Sequence, residues 1–107
     1  MPEVRLTTAF GTVPAGTQEG ICRVLENAIE QVGLEEGTFR TARAVFTESD
    51  EQCVFTVELD GVRKEPSPLV LDLGLLEDAV AGPAPAAALK EIIRDYCRRV
   101  RGPSGGP

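Results

Sequence analysis

The sequence predicts a two-layer α+β sandwich, two helices on one face of a mixed sheet, in the order β-α-β-β-(β)-α. Three observations predict it. Residues 3–10, 38–47 and 53–59 alternate with the period of two that marks strands. Residues 18–32 and 89–100 instead carry apolar side chains at helical spacing along one stripe. Polar, glycine- or proline-bearing turns separate these segments.

The first strand sets Val4, Leu6, Thr8 and Phe10 against Arg5, Thr7 and Ala9. After the turn-rich stretch from Gly11 to Gly16, Thr17 is placed to cap a helix, its hydroxyl accepting a free N–H of the first turn. Ile21, Val24, Leu25, Ala28, Ile29 and Val32 form that helix's apolar stripe, and Gly33 is its expected stop. The second strand, about Thr38 to Thr47, is ambiguous. Phe39, Thr41, Arg43 and Val45 lie on one side, Arg40, Ala42, Ala44 and Phe46 on the other, and both sides hold apolar residues. Glu48 to Glu51 reads as a polar turn. Cys53, Phe55, Val57 and Leu59 then alternate cleanly with Val54, Thr56 and Glu58.

Asp60-Gly61 suits the positive φ angles of a tight hairpin turn, with Val62 to Glu65 returning as a short edge strand until Pro66 and Pro68 stop it. Leu69 to Leu76 is apolar and reads equally as a strand end or as an irregular stretch. Pro85 favours a helix start, and Leu89, Ile92, Ile93, Tyr96, Cys97 and Val100 make the second stripe. Arg98, Arg99 and Arg101 suit that helix's C-terminal dipole. One domain over residues 1–102 and a disordered tail over 103–107 follow. A strand–helix–strand start implies a right-handed crossover with parallel strands, and the layout resembles the ferredoxin-like and related sandwiches.

Composition narrows the functions. The 107 residues hold one core, and 42 % hydrophobic residues with 26 % charged ones are globular values. No apolar run nears the ~20 residues of a membrane span, and neither that nor a secretory leader is expected, so the cytoplasm is the expected location. Histidine is absent, which removes the commonest general base and most zinc sites. Cys22, Cys53 and Cys97 are odd in number and far apart, and read as buried apolar residues rather than disulfides or metal ligands. No cofactor is expected. The net charge of −6 disfavours nucleic acid, and it is uneven: four arginines face eleven acids through Asp60, and seven basic residues face six acids thereafter.

Candidate sites are few. Met1-Pro2 followed by a strand, a long helix, a second strand carrying Arg40 and Arg43, a hairpin and a helix is similar in outline to the tautomerase superfamily. That resemblance implies Pro2 as general base and Arg40 or Arg43 holding a carboxylate, on a small enol or 2-oxo acid. Gly20-Ile21-Cys22-Arg23-Val24-Leu25 with the strand from Phe55 to Leu59 also resembles the ACT-domain pattern. It implies edge-to-edge pairing and a small-molecule effector near Gly16 and Gly20, although the Asp-x-Pro-Gly type of turn is missing. The element order is similar again to ribosome-associated hibernation factors, implying RNA contact through Arg94, Arg98, Arg99 and Arg101. Here, however, Glu91 and Asp95 stand at salt-bridging distance from those arginines along the helix, and the first helix is acidic. Glu35-Glu36 and Asp50-Glu51 read as solvated turn charges.

The leading expectation is therefore a non-enzymatic interaction or regulatory module. It works on itself as a homo-oligomer, or on another protein as the subunit of a complex. Its expected interface is Arg40, Ala42, Phe46, Val54 and Thr56, on the open side of the second and third strands.

Overall fold

A computed structural model describes residues 2–37, 39–63 and 67–102. The chain runs β1 (Glu3–Phe10), α1 (Ala15–Glu36), β2 (Thr41–Ser49), β3 (Gln52–Leu59), β4 (Leu69–Asp72), α2 (Leu73–Ala81) and α3 (Pro83–Arg101). The strands lie in sequential order β1-β2-β3-β4. β1 and β2 are parallel, whereas β3 is antiparallel to both β2 and β4. This is a two-layer α+β sandwich broadly of the ferredoxin-like kind, with no strand inserted between the two parallel ones.

The core lies between the helices and one sheet face. Ala42, Ala44, Phe46, Cys53, Phe55, Val57, Leu59 and Leu71 point inward and are buried against Ile21, Leu25, Ile29, Leu76, Leu89, Ile93, Tyr96 and Val100. Phe46 pairs directly with Phe55 across β2 and β3, and both are fully buried. The edge strand β1 is less covered, its Val4, Leu6 and Phe10 being only partly buried.

Several expectations change. Gly33 does not end α1, which continues to Glu36 and closes at Gly37 in the left-handed conformation (φ 63°). Gly33 instead permits close approach: a Cβ there would lie 2.7 Å from Pro2 Cγ and 2.9 Å from Phe39 Cζ. Thr17 is not the cap, because α1 begins two residues earlier after Pro14, with no side-chain cap. Leu69 to Leu76 divides at Asp72, whose carboxylate accepts from the Gly74 N–H at 3.0 Å and caps an additional helix, α2. Pro83 rather than Pro85 opens α3. The return strand after Asp60-Gly61 is a single bridge, Leu59 to Val62. Positions 64–66 and 103–107, including the end of that strand and the tail, lie outside the described residues.

Candidate functional site

The outer face of the sheet is where the side chains left over by the core collect. Strand alternation sends Glu3, Arg5, Thr7 and Ala9 of β1, and Thr41, Arg43, Val45, Thr47 and Ser49 of β2, to this face. β3 contributes Gln52, Val54, Thr56 and Glu58, and β4 contributes Val70 and Asp72. Cross-strand register arranges them in rows: Arg5–Arg43–Glu58, then Thr7–Val45–Thr56, then Ala9–Thr47–Val54–Val70, then Ser49–Gln52–Asp72. The two middle rows hold seven side chains and no charge. Val45 is 41 % exposed and Val70 71 %.

Two of the five expected interface residues are corrected. Ala42 and Phe46 are buried on the opposite, helix-facing side, at 2 % and 0 % exposure. Val54 and Thr56 do lie on the outer face, half-buried among their neighbours. Arg40 is exposed just before β2, where its N–H donates to Asp60 Oδ1 at 3.0 Å. On the outward side of β2 stand Val45 and Thr47 instead, each one position from an inward neighbour. A shift of one residue exchanges the faces of a strand, so a misjudged parity misplaces both.

A shallow hollow of about 370 Å3 sits at the charged end of the face, lined by Glu3, Arg5, Thr41, Ala42, Arg43, Glu58 and Gly61. Its charge is balanced. Glu3 holds Arg5 at 3.3 Å, and Glu58 stands opposite Arg43 in the register. Pro2, Arg40 and Arg43 do not converge on it. Arg43 lines the hollow, but the Pro2 ring packs toward Gly33 of α1, on the helix side of the sheet. Gly20 likewise serves packing: a Cβ there would meet Val80 Cγ1 of α2 at 2.8 Å. Around Gly16 there is open space.

Arg94, Arg98 and Arg99 of α3 are occupied by carboxylates. Arg98 makes two hydrogen bonds to Glu36, at 2.9 and 3.0 Å. Arg94 pairs with Glu35 and, at 3.1 Å, with Glu91; Lys90 meets Glu35 at 2.9 Å and Arg99 meets Asp95 at 2.7 Å. Glu35 and Glu36 are thus helical and partnered rather than turn charges, and both carboxyls are held below the usual range, first by their hydrogen bonds to Lys90 and Arg98 respectively. A basic cluster bound to its own acids presents little net charge to a phosphate backbone.

Glu48 was hidden in the sequence as part of a polar turn. It is a buried carboxylate at the end of β2, on the inward side. Its Oε1 accepts from the N–H groups of Gly11, Thr12 and Val13 at 2.8, 2.9 and 3.2 Å. Oε2 accepts from the Thr12 hydroxyl and from the Glu51 N–H at 2.9 Å. These bonds, led by the Thr12 hydroxyl, hold its pKa down at about 2. The carboxylate ties the loop before α1 to the β2–β3 turn, a structural clamp. The one signal in the sequence was its inward parity after Ala42, Ala44 and Phe46. Asp60 plays a smaller version of this part, its Oδ1 accepting from Thr41 N–H and Arg40 N–H at 3.0 Å, which lowers its pKa.

Cys53 and Cys97 are buried, and burial pushes their thiols up to about 11 and about 12. Cys22 is only half-buried, its Sγ 3.9 Å from Thr8 Oγ1. Among the described residues no helix is long and apolar enough to cross a membrane. Comparison with family models, with curated proteins and with solved structures finds no significant match to this chain.

Proposed function

We propose that this chain is a non-enzymatic protein-interaction module that docks through the outer face of its sheet, as a homo-oligomer or as a subunit of a larger assembly. The observation that carries this reading is the pair of charge-free rows, Thr7–Val45–Thr56 and Ala9–Thr47–Val54–Val70, on the face opposite the helices. An antiparallel sheet that merely faces water alternates hydrophobic-in with polar-out. Here valines stand where charge would serve solubility, and charged residues are confined to the ends of the strands. An uncharged centre with a charged rim is the anatomy of an interface. The open edge of β1 runs for eight residues with neither proline nor lysine, which leaves a further place for a partner to pair.

A cytoplasmic setting suits the three free cysteines, two of them buried and with raised pKa, which a reducing compartment keeps as thiols. The reading is tested by placing a photo-reactive phenylalanine analogue at Val45, with exposed Glu26 of α1 as the control position, in cells that make the protein. A discrete adduct from position 45 and none from 26 supports it. No adduct from 45, or equal labelling from both positions, overturns it.

A further inference from the structure

The outer face is complementary to itself about one particular axis. In the register of β2 with β3, Arg43 stands opposite Glu58, Val45 opposite Thr56, Thr47 opposite Val54, and Ser49 opposite Gln52. A two-fold axis parallel to the strands and above the β2–β3 seam carries β2 of one copy over β3 of the other without changing height along the strand. Each β2 residue then faces its own cross-strand partner in the second copy. We propose that the occupant of the face is a second copy of this chain, docked about that axis.

The rows match under this operation. Arg43 of one copy faces Glu58 of the other, and symmetry makes the pair twice, as a two-fold interface requires. The uncharged rows fall on uncharged rows, Val45 on Thr56 and Thr47 on Val54, and at the flanks the small Ala9 falls on the large, exposed Val70. Ser49 meets Gln52. Two sheets packed face to face stand about 10 Å apart, a gap that an arginine and a glutamate span together. A two-fold axis running across the strands instead lays β2 over β2 and β3 over β3, where Arg43 meets no outward acid and Glu58 no outward base at any height. Among the described residues no ion pair within one copy is seen for either of them. Three strands about 26 Å long and the four-residue β4, spaced about 4.8 Å apart, give a face of roughly 440 Å2 in flat projection. Side-chain relief raises its accessible area toward the ~800 Å2 per partner of a standard interface.

This geometry rests on the outer face being the docking surface, and the experiment separates the two. Light scattering on a sizing column should give the intact chain a mass twice that of one copy. R43E and E58R should each weaken that association about tenfold or more, because each sets two like-charge pairs across the interface. Mixing the two variants should restore the doubled mass, since R43E and E58R chains match each other at both pairs. Circular dichroism of each variant monitors the fold. Should a reversal fail to fold, R43Q and E58Q make the same comparison, each weakening association a few-fold and their mixture regaining one pair of the two. A wild-type monomer overturns the second copy as occupant, and an adduct from position 45 to a different protein would then keep the docking surface. A dimer indifferent to these variants, or variants that stay monomeric when mixed, overturns the axis.

Discussion

Val45 and Phe46 are neighbours on one strand with opposite fates. Phe46 is fully buried between Phe55 and Phe10, whose ring centroid lies 5.6 Å away, while Val45 is 41 % exposed on a face that no helix covers. The two faces of this sheet share a backbone and differ in what lies above them. On the helix side each position is fixed by packing, so changes there act on stability. On the outer side the fold asks little of the side chain, and under the proposed function those positions answer to the docking partner.

The largest break in this comparison is at Phe46. Phe46→Ala should cost about 3–5 kcal/mol through lost transfer energy and a cavity, and Phe46→Glu should abolish the folded circular-dichroism signal. Next comes Glu48. Its carboxyl is depressed from 4.5 to about 2 in the folded chain, so its ionised form adds stability that is complete above about pH 4.5 and lost as pH falls through about 2. Glu48→Gln should lower the melting temperature at pH 7 and flatten its decline over that acid window. Glu35, Glu36 and Asp60, also depressed, leave the variant a residual slope.

The glycines of α1 give a smaller and opposite pair. Gly33→Ala should destabilise by about 1–3 kcal/mol, because the methyl meets Pro2 and Phe39 inside contact distance. Gly16→Ala meets nothing within 4 Å and should stabilise by up to about 1 kcal/mol through helix propensity. Thermal denaturation of the two variants side by side decides it. The smallest change in stability belongs to Val45→Thr, within about 0.5 kcal/mol. A loss comparable to Phe46→Ala in urea denaturation would mean that the outer face is part of the core after all.

The site itself was only half legible. Val54 and Thr56 could be placed because β3 alternates cleanly between apolar and mixed residues. β2 could not, since Val45 makes one side apolar and Ala42, Ala44 and Phe46 the other, and the inward Glu48 breaks the pattern at its end. An inward carboxylate is tolerable only because four backbone and side-chain donors from the loop before α1, and one from the next turn, surround it. Those loop donors are 35–37 residues away in the chain, beyond the reach of any local pattern.

What the sequence determined by itself was what short-range physics encodes. The helical stripe of α1, the alternation of β3, the Asp60-Gly61 turn with its positive φ angles and the two-layer class all follow from residues within a few positions of one another. Only the tertiary structure decided the length of α1, the inward side of β2 and the outer face. Gly33 continues the helix because Glu35 and Glu36 beyond it are held by Lys90, Arg94 and Arg98, and because Pro2 and Phe39 need the space that a side chain would fill. Phe46 points inward because Phe55 and the helices await it there. Such choices balance packing and hydrogen bonding between distant segments, and no window along the chain contains both partners.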